Sequence, residues 1–150
     1  LQFVALFPLY SGLGLVVMLL SGQAVDKLGT GKLIPWLLLP MAVGFFLMGQ
    51  AETLAGAAFA FALLALSTGA NGTVPSAFWA EFYGTRHIGS IKALASALMV
   101  FGSAIGPGLT GLFIDLGFAL PSQMLAIAIY FAAASGLMWA GVRSVRSSAN

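Results

Sequence analysis

The sequence predicts an all-α integral membrane protein with five transmembrane helices. Sixty percent of its 150 residues are hydrophobic and only 7% are charged, whereas about a quarter of the residues in a soluble domain carry a charge. The few charged residues separate five long neutral stretches, and the Lys and Arg residues all fall on one side of the predicted membrane. This composition excludes a water-soluble enzyme and a disordered tail.

The five neutral stretches are each long enough for the ~20 apolar residues that a helix needs to cross the hydrocarbon core. Buried helices of a soluble core are disfavoured because little polar surface remains outside the stretches. No linker divides the chain, so we expect one transmembrane domain over residues 1–150. Its predicted spans cover about residues 1–22, 33–50, 54–80, 93–114 and 119–142.

The distribution of charge predicts the orientation. One side of the membrane holds six basic residues, and the other holds only Glu52 and Asp115. The positive-inside rule makes the basic side cytoplasmic, so Leu1 begins outside, already within a span, and we expect the chain to be truncated at its N-terminus. We expect a multi-pass protein of the cell membrane, in particular a bacterial inner membrane. The six basic residues are Lys27, Lys32, Arg86, Lys92, Arg143 and Arg146.

A glycine-rich charged turn over residues 22–32 joins spans one and two. Gly29 or Gly31 can take the positive φ that a tight reversal requires. Asp26 is an anion that helix N-termini could meet, although an ordinary basic loop is the competing interpretation. The residues that define the turn are Gly22, Asp26, Lys27, Gly29 and Lys32.

This turn resembles the loop signature G-x-x-x-D-[R/K]-x-G-x-x-[R/K] of the major facilitator superfamily. In that family the signature joins helices two and three and recurs between helices eight and nine. The segment from Trp79 to Lys92, with Gly84, Arg86 and Gly89, is similar to the family's loop between helices ten and eleven. The resemblance covers essentially the whole chain. It implies helices eight to twelve of a twelve-helix transporter whose first half and helix seven are missing.

Span four contains a small-residue segment with a proline. A G-x-x-x-G spacing lets membrane helices approach closely, and a mid-helix Gly-Pro gives a bend. The segment is similar to a glycine- and proline-rich signature of facilitator helix five, whose counterpart in the second half is helix eleven. We therefore predict bending and packing roles for Gly102, Gly106, Pro107 and Gly111.

An internal echo predicts an inverted repeat. The stretch Ser21 to Asp26 resembles Thr110 to Asp115, and the two end their spans on opposite faces, as inverted-topology repeats do. Spans one and two would then correspond to spans four and five. Span three would lack its partner, which we expect just upstream of Leu1.

Polar side chains in the spans are the remaining route to function, because nothing ionisable lies deep in a span. Ser67 and Asn71 lie four residues apart, hence on one helix face, and Asn71 is the strongest candidate because a buried amide demands partners. The competing interpretation is that the hydroxyls bond to their own helix carbonyls. In the facilitator family helices eight, ten and eleven line the cavity. The predicted cavity residues are Tyr10, Ser11, Ser67, Thr68, Asn71, Ser96 and Ser103.

The chemistry predicted from these residues is transport rather than catalysis. The sequence has one His, no Cys and no phosphate-binding loop, so we expect no enzyme activity, no metal site and no cofactor, with any coupling ion unidentified. The net charge of +2 is too small for a nucleic-acid partner. The expected function is secondary-active or facilitative transport of a small solute by alternating access. The expected partners are the lipid bilayer, the solute and the missing N-terminal half. The alternative is a non-transport membrane subunit, or a membrane-embedded enzyme, that needs a partner chain.

Overall fold

The computed structural model describes residues 4 and 6–148, and 86% of the described part of the chain is helical. The described residues contain no strand. Five helical segments are long and apolar enough to cross a membrane, as the sequence predicts: Leu6–Leu28, Thr30–Met48, Leu54–Tyr83, Ile88–Asp115 and Leu120–Ser144. They are called spans one to five below. The predicted start of span one, at residues 1–3 and 5, lies outside the described residues.

Three spans are single helices and two are interrupted. Span one is α1 (Leu6–Leu28), span four is α6 (Ile88–Asp115), and span five belongs to α7 (Leu120–Ser148). Span two consists of α2 (Thr30–Leu33), a 3-10 turn (Ile34–Trp36) and α3 (Leu39–Met48). Span three consists of α4 (Leu54–Asn71) and α5 (Val74–Tyr83), separated at Gly72 and Thr73.

Prolines explain where the interruptions fall. Pro40 and Pro75 lie in the first turn of α3 and of α5, where the missing N–H costs little because the first amides of a helix have no intrahelical partner. Both prolines fall within spans that the sequence predicts as continuous. In the structure, a new helix begins at each of them. Pro107 alone of the prolines in the described helices lies well inside one, α6.

Two buried serines hold the interruption of span two. The Ser67 hydroxyl of span three donates to the Leu37 carbonyl at 2.7 Å, and the Ser135 hydroxyl of span five donates to the Pro35 carbonyl. Both side chains are buried, at 1% and 4% exposure. Carbonyls released from helical bonding in an apolar medium need such partners, which neighbouring helices supply. The interrupted span therefore joins spans three and five.

Small residues let span three pack closely on both of its neighbours. A Cβ at Gly69 would lie 2.4 Å from the Gly14 carbonyl oxygen of span one, and a Cβ at Gly44 would lie 2.9 Å from Leu64. Ala57 and Ala60 of α4 are buried. Close approach through small residues is a general means of helix association in membranes, so span three is the centre of this bundle.

Span four stands apart from that bundle. Its main contacts are with α5 and α7, and none of its 28 residues is buried. A small core of Ile34, Leu37, Val74 and Val142 instead joins spans two, three and five. The structure thus forms a packed group of spans one, two, three and five, with span four attached at its side.

We expect Ser67→Ala to lower the free energy of unfolding in bicelles, because the Leu37 carbonyl would lose its donor. Hydrogen bonds between membrane helices contribute about 0.6 kcal/mol on average and up to about 1.7 kcal/mol. Ser103→Ala is the matched control, since the exposed Ser103 hydroxyl bonds to the Val100 carbonyl of its own helix. Equal losses in the two variants would contradict the bracing role of Ser67.

Candidate functional site

Two of the predicted cavity residues meet between spans one and three. The Tyr10 hydroxyl donates to Thr68 Oγ1 at 2.9 Å, and Thr68 donates onward to the Leu64 carbonyl at 2.9 Å. The Tyr10 ring also packs edge-to-face on Phe61, with centroids 6.0 Å apart. Thr68 lies at the middle of the segment Leu54–Tyr83, and Tyr10 lies in the second turn of the segment Leu6–Leu28, so the pair is close to the middle of span three.

Asn71 lies one helical turn beyond this pair, as the last residue of α4. Its side chain is exposed, and the directly following Gly72 and Thr73 separate α4 from α5. Across the break, the Thr73 hydroxyl donates to the Met18 carbonyl of span one at 3.4 Å. The interrupted segment thus places an exposed amide within one helical turn of Thr68. We call Tyr10, Thr68 and Asn71 the mid-span site.

The structure does not bring the other predicted cavity residues to the mid-span site. Ser67 is buried and bonded to span two, although it shares a helix with Asn71. Ser11 is exposed on span one, and Ser96 and Ser103 are exposed on span four. Ser103 bonds to its own helix, which is the competing interpretation that the sequence left open for the hydroxyls.

The predicted glycine-rich turn over residues 22–32 is shorter than expected. Helix α1 continues to Leu28, so Asp26 and Lys27 lie in its last turn, and both are exposed. Only Gly29 has a positive φ, at 77°, while Gly31 is helical. The helix is longer because the residues from Gly22 to Leu28 contain no proline and their backbone can keep helical bonding.

The basic residues lie where the ends of the spans meet. Lys27 and Lys32 flank the turn between spans one and two, Arg86 follows α5, Lys92 is in the first turns of α6, and Arg143 is near the end of α7. Contacts of α2 with α5, and of α5 with α6, bring these ends together. We call this end of the bundle the basic end.

At the basic end, a carboxylate of span three contacts the turn between spans one and two. Glu81 Oε2 of α5 accepts a hydrogen bond from Thr30 Oγ1 at 2.5 Å and one from the Thr30 backbone N–H at 3.3 Å. Thr30 is 1% exposed. This contact is not predicted by the sequence analysis. The available signal was a threonine directly after the turn glycine, at a helix start whose amides need acceptors.

The predicted bending and packing residues of span four have no partner helix. A Cβ at Gly102, Gly106 or Gly111 would meet nothing within 4 Å, and α6 is continuous through Pro107. Between the outer parts of α6 and α7 lies an apolar cleft of about 380 Å³. Gln123 donates there to the Phe118 carbonyl at 3.0 Å. The roles of Gly102, Gly106, Pro107 and Gly111 stay predictions.

Comparisons with protein-family models, with curated proteins and with solved structures find no match. Within the described part of the chain, no three His, Asp or Glu side chains group as a metal site requires. The class of molecule that the fold defines is therefore a bundle of five helices that are long and apolar enough to cross a membrane.

We expect Glu81→Ala to speed hydrogen exchange at the amides of Thr30 to Leu33 several-fold, because the Thr30 N–H and hydroxyl lose a charged acceptor. Hydrogen bonds to charged groups are stronger than neutral ones, although the exposure of Glu81 weakens this one. The measurement is amide exchange followed by mass spectrometry. Glu52→Ala, at the opposite end, is the control. Unchanged exchange at Thr30 in Glu81→Ala would show that this contact does not hold the turn.

Proposed function

We propose that this chain is part of a transporter that moves a small solute across the membrane by alternating access, in the manner of the major facilitator superfamily. The interrupted third span carries this proposal. Secondary transporters bind their substrates near the bilayer midplane, typically at discontinuous helices. Here the break after Asn71 adjoins the Tyr10–Thr68 pair at mid-span.

The chemistry of the mid-span site favours a neutral or weakly polar solute. Tyr10 and Thr68 offer hydroxyls that can donate or accept, and Asn71 offers an amide that can do both. No ionisable side chain other than the Tyr10 phenol belongs to the site. A sugar, a weak acid in its neutral form or a drug-like molecule fits these groups. Coupling to an ion would depend on Glu81 or on the expected first half.

The arrangement of the basic end supports an interface with the other half of the transporter that rearranges during transport. The Thr30–Glu81 contact ties the ends of spans two and three, so this group of helices can move as one body. Asp26, Lys27 and Arg86 stay outside that contact and would meet the other half of the transporter. This assignment places the basic end in the cytoplasm, consistent with the positive-inside rule, and suits a bacterial inner membrane.

The exposure of span four supports the proposal that further helices of the transporter cover it. Span three packs against spans one and two, and spans two and five pack against each other. Under the inverted repeat, an upstream partner of span three would pack in the same way against spans four and five. Span four would be covered by that helix and by the N-terminal half, which accounts for its lack of buried residues.

The test is solute flux into cells that express the chain within its full reading frame, with labelled glucose, lactate and the uncharged drug chloramphenicol as probes. We expect Asn71→Ala to raise the apparent KM for the transported probe several-fold, because the bound solute loses an amide partner. Gln50→Ala removes an exposed amide from the hairpin between spans two and three and is the matched control. An unchanged KM in Asn71→Ala for every transported probe would contradict the role of the mid-span site.

A further inference from the structure

A second cavity lies on the outer surface of the bundle, between spans two and five. It has a volume of about 340 Å³, and its walls include Trp36 and Leu39 on span two and Ala132, Gly136 and Trp139 on span five. We call it the tryptophan groove. None of the mid-span residues lines it, so it is separate from the proposed transport site.

The tryptophan groove is apolar along its length. The one hydroxyl in its wall, Ser135, is occupied by the Pro35 carbonyl. A Cβ at Gly136 would meet no atom within 4 Å, so the groove is open over this glycine. Its volume is at the lower end of the ~300–1,000 Å³ of small-molecule pockets, which suits one hydrocarbon chain rather than a bulky ligand.

Both indoles are exposed at the sides of the groove. Trp36 is 64% exposed and Trp139 is 47% exposed. Tryptophan is enriched at the level of the lipid headgroups, where one part of its ring system is apolar and its N–H is polar. Two exposed indoles on neighbouring spans therefore indicate the depth at which the headgroup of a bound lipid would lie.

Two cations lie beyond the indoles, towards the basic end. The Arg143 guanidinium carbon is 3.8 Å from the centroid of the Trp139 ring, in a cation–π contact. The exposed Lys32 lies one turn before Trp36 on span two. The groove is therefore apolar towards mid-span and positively charged at one end, which is complementary to an anionic amphiphile lying parallel to the helices.

We propose that the tryptophan groove binds an anionic phospholipid, with one acyl chain lying over Gly136 and the phosphate near Arg143 and Lys32. A basic residue near the membrane surface favours anionic lipid, and the cation–π contact holds the Arg143 guanidinium at the mouth of the groove. The cations lie at one end only, which matches a single headgroup. This proposal does not depend on the transport proposal.

The test uses quenching of tryptophan fluorescence by brominated lipids in reconstituted bilayers. A Trp79→Phe background leaves Trp36 and Trp139 as the emitting residues. Vesicles contain either dibromo-phosphatidylglycerol or dibromo-phosphatidylcholine in otherwise unbrominated phosphatidylcholine. We expect stronger quenching by the anionic lipid at equal mole fraction, and we expect high salt to reduce this preference because the cations are exposed.

Arg143→Gln should lower the preference for phosphatidylglycerol about fivefold, as expected for one basic residue near an anionic membrane surface. Arg143→Lys should retain most of the preference. Lys92→Gln, which removes a cation of the same end from span four, should leave the preference unchanged. Gly136→Leu fills the groove and should lower quenching by phosphatidylglycerol, whereas Gly102→Leu, at another open glycine, should not.

Equal quenching by the two lipids in the Trp79→Phe background would overturn the proposal. So would equal effects of Arg143→Gln and Lys92→Gln, since that result would show only the general attraction of a basic surface. Quenching that Gly136→Leu leaves unchanged would exclude the groove as the place of the acyl chain. Circular dichroism of each variant identifies any that has lost its helical structure, and the salt dependence in the unaltered groove tests the electrostatic part without a substitution.

Discussion

The interruption of span two is the constraint on which the rest of the structure depends. Its backbone leaves regular α-helical geometry around Pro35 and Leu37, and an unsatisfied carbonyl in hydrocarbon costs several kcal/mol. Hydroxyls from two different spans supply the missing donors, Ser67 from one side and Ser135 from the other. The interruption therefore fixes the positions of spans three and five relative to span two. It also shapes the tryptophan groove, because Trp36 belongs to the same turn.

The functional interpretation follows from that placement. Once Ser67 is bonded to span two, the adjacent face of α4, about 100° around the helix, carries Thr68, which meets Tyr10 of span one. Helix α4 ends at Asn71, and α5 continues span three. Glu81 of α5 accepts a hydrogen bond from Thr30, which follows the turn between spans one and two. A single interrupted span thus connects a polar group at mid-span with the basic end. In a transporter these are the places where the solute binds and where the two halves meet.

Much of the fold could be predicted from the sequence, but the residues that contact each other between different spans could not. Neutral stretches fix the five spans because hydrocarbon thickness sets their length. A positive φ at Gly29 or Gly31 could be predicted because a tight reversal requires it, but the sequence does not say which of the two glycines adopts it. The four-residue spacing of Ser67 and Asn71 indicates a shared face of their own helix, but it does not say which neighbour covers Ser67. A proline within an apolar run fits a bend or a new helix start, and Pro75 is the latter. The Thr30–Glu81 contact joins residues 51 positions apart, beyond the reach of any local pattern.

Side-specific labelling of one cysteine at Asn71 tests the central claim most directly. These 150 residues contain no cysteine. In a full-length background from which any other cysteine has been removed, Asn71→Cys therefore provides a single thiol for an impermeant maleimide added to either side of sealed vesicles. Alternating access predicts labelling from both sides. It also predicts an effect of adding Asp26→Asn, which weakens the proposed contact between the two halves at the basic end. This substitution should raise the labelling rate from that side and lower the labelling rate from the other side. A thiol that is unreactive from both sides, or a ratio of rates that Asp26→Asn leaves unchanged, would contradict the account.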